Sequence, residues 1–171
     1  MKLNIAIIDN DALFRKSIAA SVDKWAKKSK ISAAVNEYSS AEAFLFAYEE
    51  KKDYDLLLLD IEMAGISGVE MAERIRREDE TIQIVFITGY PEYMCRGYDL
   101  SALHYLLKPV SDEKLSEVLG RAMKNIKKAI IESFSQQTEA KKWLRLMPFF
   151  MPNHIRIICT LLQQTVHLMS E

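Results

Sequence analysis

The residues that promise chemistry stand at four places in this chain. The run AIIDND closes on Asp9, Asn10 and Asp11, and LLLLD closes on Asp60. The run IVFIT closes on Thr88, and HYLLKP carries Lys108 just before Pro109. Carboxylates separated by one residue at the end of an apolar run suit the rim of a phosphate and metal site. Two chemistries fit that rim. In one, Asp9 attacks phosphorus and Asp11 is the general acid. In the other, the acids hold Mg²⁺, which prefers oxygen ligands, and the nucleophile is a carboxylate elsewhere.

These residues are far apart in sequence, so the elements between them must bring them together. Leu3 to Ile8 reads as a buried strand. Asp11 to Lys30 reads as a helix, with Leu13, Phe14, Ile18, Val22 and Trp25 at helical spacing. Ile31 to Tyr38 is a second strand, and Ser39 or Ser40 caps a helix that buries Phe44, Leu45 and Tyr48. Asp55 to Asp60 is a third strand, apolar on both faces. Ser67 to Glu78 is helical, with Val69, Ala72 and Ile75 facing inward. Ile82 to Thr88 and His104 to Leu107 complete the strands, with a short helix predicted between them over Glu92 to Leu100. Ser111 caps a long last helix through Leu115, Val118, Leu119, Ala122, Ile126 and Ile130.

Strands alternating with helices imply an α/β fold, a five-stranded parallel sheet with helices on both faces. Such doubly wound sheets bind ligands at the carboxyl ends of their strands, beside the point where strand order reverses. Asp9, Asn10, Asp60 and Thr88 all fall at predicted strand ends, and Lys108 follows the fifth. Any one strand-terminal Asp is ordinary turn or cap chemistry. Five polar residues at one edge of one sheet are not.

The motifs IAIIDND, LLLLDIEMAGISGVEMAERIR, IVFITGY and LHYLLKPV resemble the receiver domain of bacterial response regulators, over about residues 2 to 130. The resemblance implies a flavodoxin-like fold and a phosphoacceptor at Asp60, which takes a phosphoryl group from a phosphohistidine on a sensor histidine kinase. It implies Mg²⁺ held by Asp9, Asn10, Asp60 and the backbone carbonyl of Glu62. Lys108 pairs with phosphoryl oxygens, the Thr88 hydroxyl bonds another of them, and Tyr105 is the switch aromatic that follows Thr88. Glu62 and Tyr90 flank the family's path for hydrolytic water, and Gly89 keeps the pocket open. Beyond slow self-dephosphorylation, no enzyme activity is expected.

One departure stands out. The family shows two consecutive acids after the first strand, and here the second is Asn10. An amide oxygen still coordinates Mg²⁺, but one negative charge is lost and weaker affinity is expected, unless Asp11 swings in; otherwise Asp11 is the N-cap of the first helix. The phosphohydrolase alternative, of haloacid-dehalogenase type, needs a further acidic pair late in the chain. After Lys108 the candidates are Asp112 and Glu113, which a helix start explains, and Asp60 would have no purpose. A third reading is a degraded receiver that acts as a non-catalytic interaction or dimerisation module.

The run GYDLSALHYLLKPV most resembles receivers that precede a LytTR-type DNA-binding domain. Residues 1–134 read as the receiver. Residues 135–171 read as linker, beginning at Gln136 to Glu139, and an apolar tail too short for an output domain. Read in a shifted frame, the degenerate codons of residues 147–171 permit segments like the opening strands of a LytTR domain. A frameshift near Leu146 is therefore expected; the competing reading is an extension that packs on a partner chain. DNA contact would come only through an output domain absent from this chain, and a homodimer is expected through the fourth and fifth strand-helix units.

Composition agrees. Hydrophobic residues at 49% supply a core, and Lys+Arg 23 against Asp+Glu 24 leaves no global field toward nucleic acid or anionic lipid. Cys95 and Cys159 form no disulfide framework or zinc pattern. His104 reads as structural, and His154 and His167 form no ligand set. With no signal-peptide pattern and no span of about 18 apolar residues, a cytoplasmic protein without membrane contact is expected.

Overall fold

The computed structural model describes residues 2–90 and 102–146. The strands are β1 (Lys2–Ile8), β2 (Ser32–Tyr38), β3 (Leu56–Leu59), β4 (Gln83–Thr88) and β5 (His104–Leu107). They make one sheet in the order β2-β1-β3-β4-β5, parallel at each pairing. The chain steps from β1 outward to β2, then returns past β1 to β3. The reversal of strand order therefore falls between β1 and β3, whose ends carry Asp9 and Asp60.

Both faces of the sheet are covered, because side chains alternate along each strand. Ile5 and Ile7 of β1, Leu56 and Leu58 of β3, and Val85 and Ile87 of β4 meet one set of helices. These are α1 (Ala12–Ser29), through Ile18, Val22 and Trp25, and the start of α4 (Asp112–Leu146), through Leu115, Val118, Leu119, Ala122 and Ile126. On the other face Ala6, Ile8, Leu57, Leu59, Ile84 and Phe86 meet α2 (Ala41–Glu50) and α3 (Gly68–Glu78). Four consecutive buried leucines in β3 are the signature of a central parallel strand, apolar on both sides.

Each helix starts at a side chain that satisfies its free N–H groups. Asp11 Oδ1 accepts from the Leu13 and Phe14 amides at 2.8 and 3.1 Å. Ser40, not Ser39, caps α2. Ser67 and Glu70 form a reciprocal capping box on α3. Ser111 Oγ accepts from the Lys114 amide at 3.2 Å. Asp112 then ties α4 to α1, accepting from Lys24 Nζ and Ser21 Oγ, both at 2.7 Å.

Three expectations change. Leu13 is 79% exposed rather than buried: its neighbour Phe14 takes the core-facing position in the first turn of α1. Gln136 to Glu139 is helical, not linker, and α4 runs on to Leu146. That stretch has no Gly or Pro to stop a helix and consists largely of good helix formers. Ile130 is exposed as well. A first compact unit ends at Ile126, and the rest of α4, from Lys127, belongs to a second. The predicted helix over Glu92 to Leu100, the tail over 147–171, Cys95, Cys159, His154 and His167 lie outside the described residues. Among the described residues no helix is long and apolar enough to cross a membrane.

Leu58 is 1% exposed at the centre of the sheet. Leu58→Ala removes buried methyl groups and leaves a cavity, so urea unfolding is expected to show a loss of about 3 kcal/mol.

Candidate functional site

The carboxyl edge of the sheet is continued by one more rung beyond the strands. The Asp9 amide donates to Tyr38 O at 3.1 Å, the Asp60 amide to Ile8 O at 2.9 Å, and the Lys108 amide to Thr88 O at 2.9 Å. Strand alternation therefore extends to these residues. Asp9, Asp60 and Lys108 continue the face that α1 and α4 cover. Thr88 continues the opposite face, where Tyr105 also lies as the register partner of Phe86.

Lys108 joins the two acids. Its Nζ donates to Asp9 Oδ2 and to Asp60 Oδ2, each at 2.7 Å. Asp9 is 2% exposed and Asp60 6%. Burial pushes the Asp60 carboxyl above the ordinary aspartate value, against the downward pull of the Lys108 ammonium. Burial pulls that ammonium down in turn, but its hydrogen bonds with Asp60 and Asp9 more than reverse this and leave it above the ordinary lysine value. Removing one member of such a set strands buried charge, a loss generally of about 3–5 kcal/mol. The Phe14 ring lies 4.3 Å from the ammonium and covers it on the α1 side.

The loop after Asp60 is held by glycines. The Ile61 amide donates to Asp60 Oδ1 at 2.7 Å, and the Gly68 amide to Ile61 O at 2.9 Å. A Cβ on Gly68 would lie 2.0 Å from Asp60 O, so only glycine lets α3 begin this close to the end of β3. Gly65 turns the loop at φ +82°. Beside it, Glu42 Oε1 accepts from the Ile66 amide at 2.8 Å.

The remaining expected residues are placed as follows. Asp11 is the N-cap of α1, so its carboxyl is held below the ordinary value by the Phe14 and Leu13 amides. Asn10 and Glu62 are exposed beside the buried acids. Thr88 is fully buried, and its Oγ1 accepts from the Tyr90 amide at 3.3 Å. Tyr105 is half-buried with its ring 4.8 Å from Phe86, and burial pushes its phenol up to about 12. Its hydroxyl is buried without a hydrogen-bond partner among the described residues. The sequence reading missed Arg15, Glu37 and Gly68. Only Gly68 carried a local signal, a glycine following the Ser67 cap at the start of an apolar helical pattern.

The donor set fits Mg²⁺. Among the described residues no cluster of three or more His, Cys, Asp or Glu stands ready for a metal. Mg²⁺ needs no such cage: it keeps several waters and takes one or two carboxylates, and two, Asp9 and Asp60, lie side by side on this edge with the Lys108 ammonium between them.

The sequence model of the response regulator receiver domain matches residues 5–120. The chain belongs to that family. As a receiver it is 28% identical over 79% of its length to the sensory transduction protein LytT of Enterococcus faecalis, covering 54% of that protein. It is 31% identical over 74% of its length to LytT of Oceanobacillus iheyensis, covering 50%. The chain thus spans about half the length of the curated relatives it matches. Among solved structures, the response regulator TrrA of Thermotoga maritima, in complex with Mg²⁺-BeF, is 25% identical with a TM-score of 0.62. That match covers 70% of this chain and 98% of TrrA. The receiver fold is a flavodoxin-like doubly wound sheet, as the strand order here requires.

Gly68→Ala is expected to push the Asp60 loop outward and destabilise the receiver by about 1–3 kcal/mol, read as a lower thermal midpoint. An unchanged midpoint would mean that the Asp60 carbonyl moves aside freely.

Proposed function

We propose that this receiver accepts a phosphoryl group on Asp60 from a phosphohistidine of a sensor histidine kinase and changes conformation through Thr88 and Tyr105. The observation that carries this reading is the Lys108 ammonium bridging Asp9 and Asp60. In the transfer, an Asp60 oxygen forms a bond to phosphorus while the phosphorus–nitrogen bond of the donor breaks. The electron pair of that bond returns to the imidazole. Mg²⁺, held by Asp9, Asp60, Asn10 and the Glu62 carbonyl, supplies positive charge against the incoming phosphoryl oxygens when bound. Lys108 balances two carboxylates before the reaction, and afterwards its ammonium is freed to pair with a phosphoryl oxygen as a point charge. The Thr88 hydroxyl, otherwise engaged with the Tyr90 amide, turns to the new anion. Tyr105 follows on the same sheet face, so local charge becomes a repacked surface on the fourth and fifth strand-helix units.

The phosphohydrolase alternative loses its general acid, because Asp11 is committed to the α1 cap. A second reading, a receiver that works as a non-catalytic interaction module, is favoured by Asn10 alone. The output of the switch is transcription, through a LytTR-type domain beyond the portion matched here, and the active form is a homodimer through the repacked face. Self-hydrolysis of the acyl phosphate is slow, with Glu62 and Tyr90 at the water path.

Incubation with Mg²⁺ and acetyl phosphate is expected to add one phosphoryl group by mass to the wild type and none to Asp60→Asn. An unmodified wild type at millimolar Mg²⁺ would favour the interaction module instead. Titration of Mg²⁺ is expected to show tighter binding by Asn10→Asp, since a charge is restored beside Asp9; equal affinities would refute a role for Asn10 in the cation site.

A further inference from the structure

Arg15 stands near the start of α1 with its side chain only 14% exposed. Its Nη1 donates to the Asp9 carbonyl oxygen at 2.6 Å. Its Nε is buried without a hydrogen-bond partner among the described residues, and Glu37 Oε2 on β2 lies 3.6 Å away. A buried guanidinium near a helix N-terminus opposes the macrodipole, and the first turn of α1 contains no acidic residue. Helix stability therefore does not account for Arg15.

Asp9 does account for it. Each polar atom of Asp9 has a partner. The amide donates to Tyr38 O at 3.1 Å. The carbonyl accepts from Arg15, Oδ1 accepts from the Asp11 amide at 2.8 Å, and Oδ2 accepts from Lys108 at 2.7 Å. Three of these contacts fix the peptide and one carboxylate oxygen, leaving only Oδ2 on a partner that can exchange. Of those three, the carbonyl contact is the one made by a side chain, and Glu37 steadies that side chain from the neighbouring strand.

We propose that Arg15, supported by Glu37, is a positioning residue that sets the Asp9 carboxylate for a divalent cation. The inference rests on the reading that Asp9 is a cation ligand. A guanidinium near a cation site acts in two opposed ways. As a charge it repels the cation, so its loss would tighten binding. As a clamp it holds the ligand, and loss of such an outer partner typically weakens metal binding by about 10–100-fold. The sign of the change separates the two.

The test titrates Mg²⁺ calorimetrically into the full chain and its variants. Arg15→Gln is expected to weaken binding about tenfold, with Glu37→Gln and Arg15→Lys weakening it less, because lysine keeps one donor. In the metal-free protein, amide hydrogen exchange at Asp9 and Asp11 is expected to quicken in Arg15→Gln while exchange at Leu57 to Leu59 is unchanged. Affinity that is unchanged or tighter, or exchange that does not move, overturns the proposal. Should Arg15→Gln not fold, Arg15→Lys carries the same two readouts. Asp9→Asn is the control: if it binds Mg²⁺ like the wild type, Asp9 is no ligand, and the underlying reading fails rather than the clamp alone.

Discussion

Two carboxylates drawn out of water at adjacent strand ends are tolerable only with a cation between them, and Lys108 supplies it. That constraint organises the edge of the sheet. Lys108 follows β5, and its long side chain reaches past the end of β4, which lies between β3 and β5, to the ends of β1 and β3. The helix after β1 must supply a cap that is not Asp9 itself, and Asp11 does so. The loop after β3 must leave room beside Asp60 O, and Gly68 leaves it. A single ammonium bridge then holds the charge of both carboxylates.

Strand parity divides the same edge. Asp9, Asp60 and Lys108 continue the face that α1 and the start of α4 cover, and Thr88 and Tyr105 continue the face that α2 and α3 cover. For the switch proposed above, a single rung of the ladder would separate the two sets.

Most of the fold was legible because its signals are periodic. Four leucines in a row, ended by an acid, can hardly be anything but a central strand, and the alternation of strands with helices sets the sheet as parallel. The polar cluster was legible because such residues gather at strand ends: Asp9, Asp60 and Lys108 meet there, while Thr88 ends β4 on the opposite face. Leu13 misled because a helical face is broad, and Phe14, one residue on, takes its inner edge. Gln136 to Glu139 misled because polarity suggests a linker, whereas Gln and Glu are also ordinary helix formers. Arg15 was invisible because its partner is a backbone carbonyl, which no residue type announces. Gly68 mattered through a distance to Asp60 O that spacing does not encode.

The Tyr105 hydroxyl has one more consequence. Among the described residues the phenol has no acceptor, and a hydroxyl sealed from water in that way carries a penalty of about 1–3 kcal/mol relative to a solvated one, while the ring packs at a 31° tilt against Phe86. For the switch proposed above, that penalty would leave the resting arrangement shallow, and a phenylalanine in its place would deepen the well and make the receiver harder to rouse.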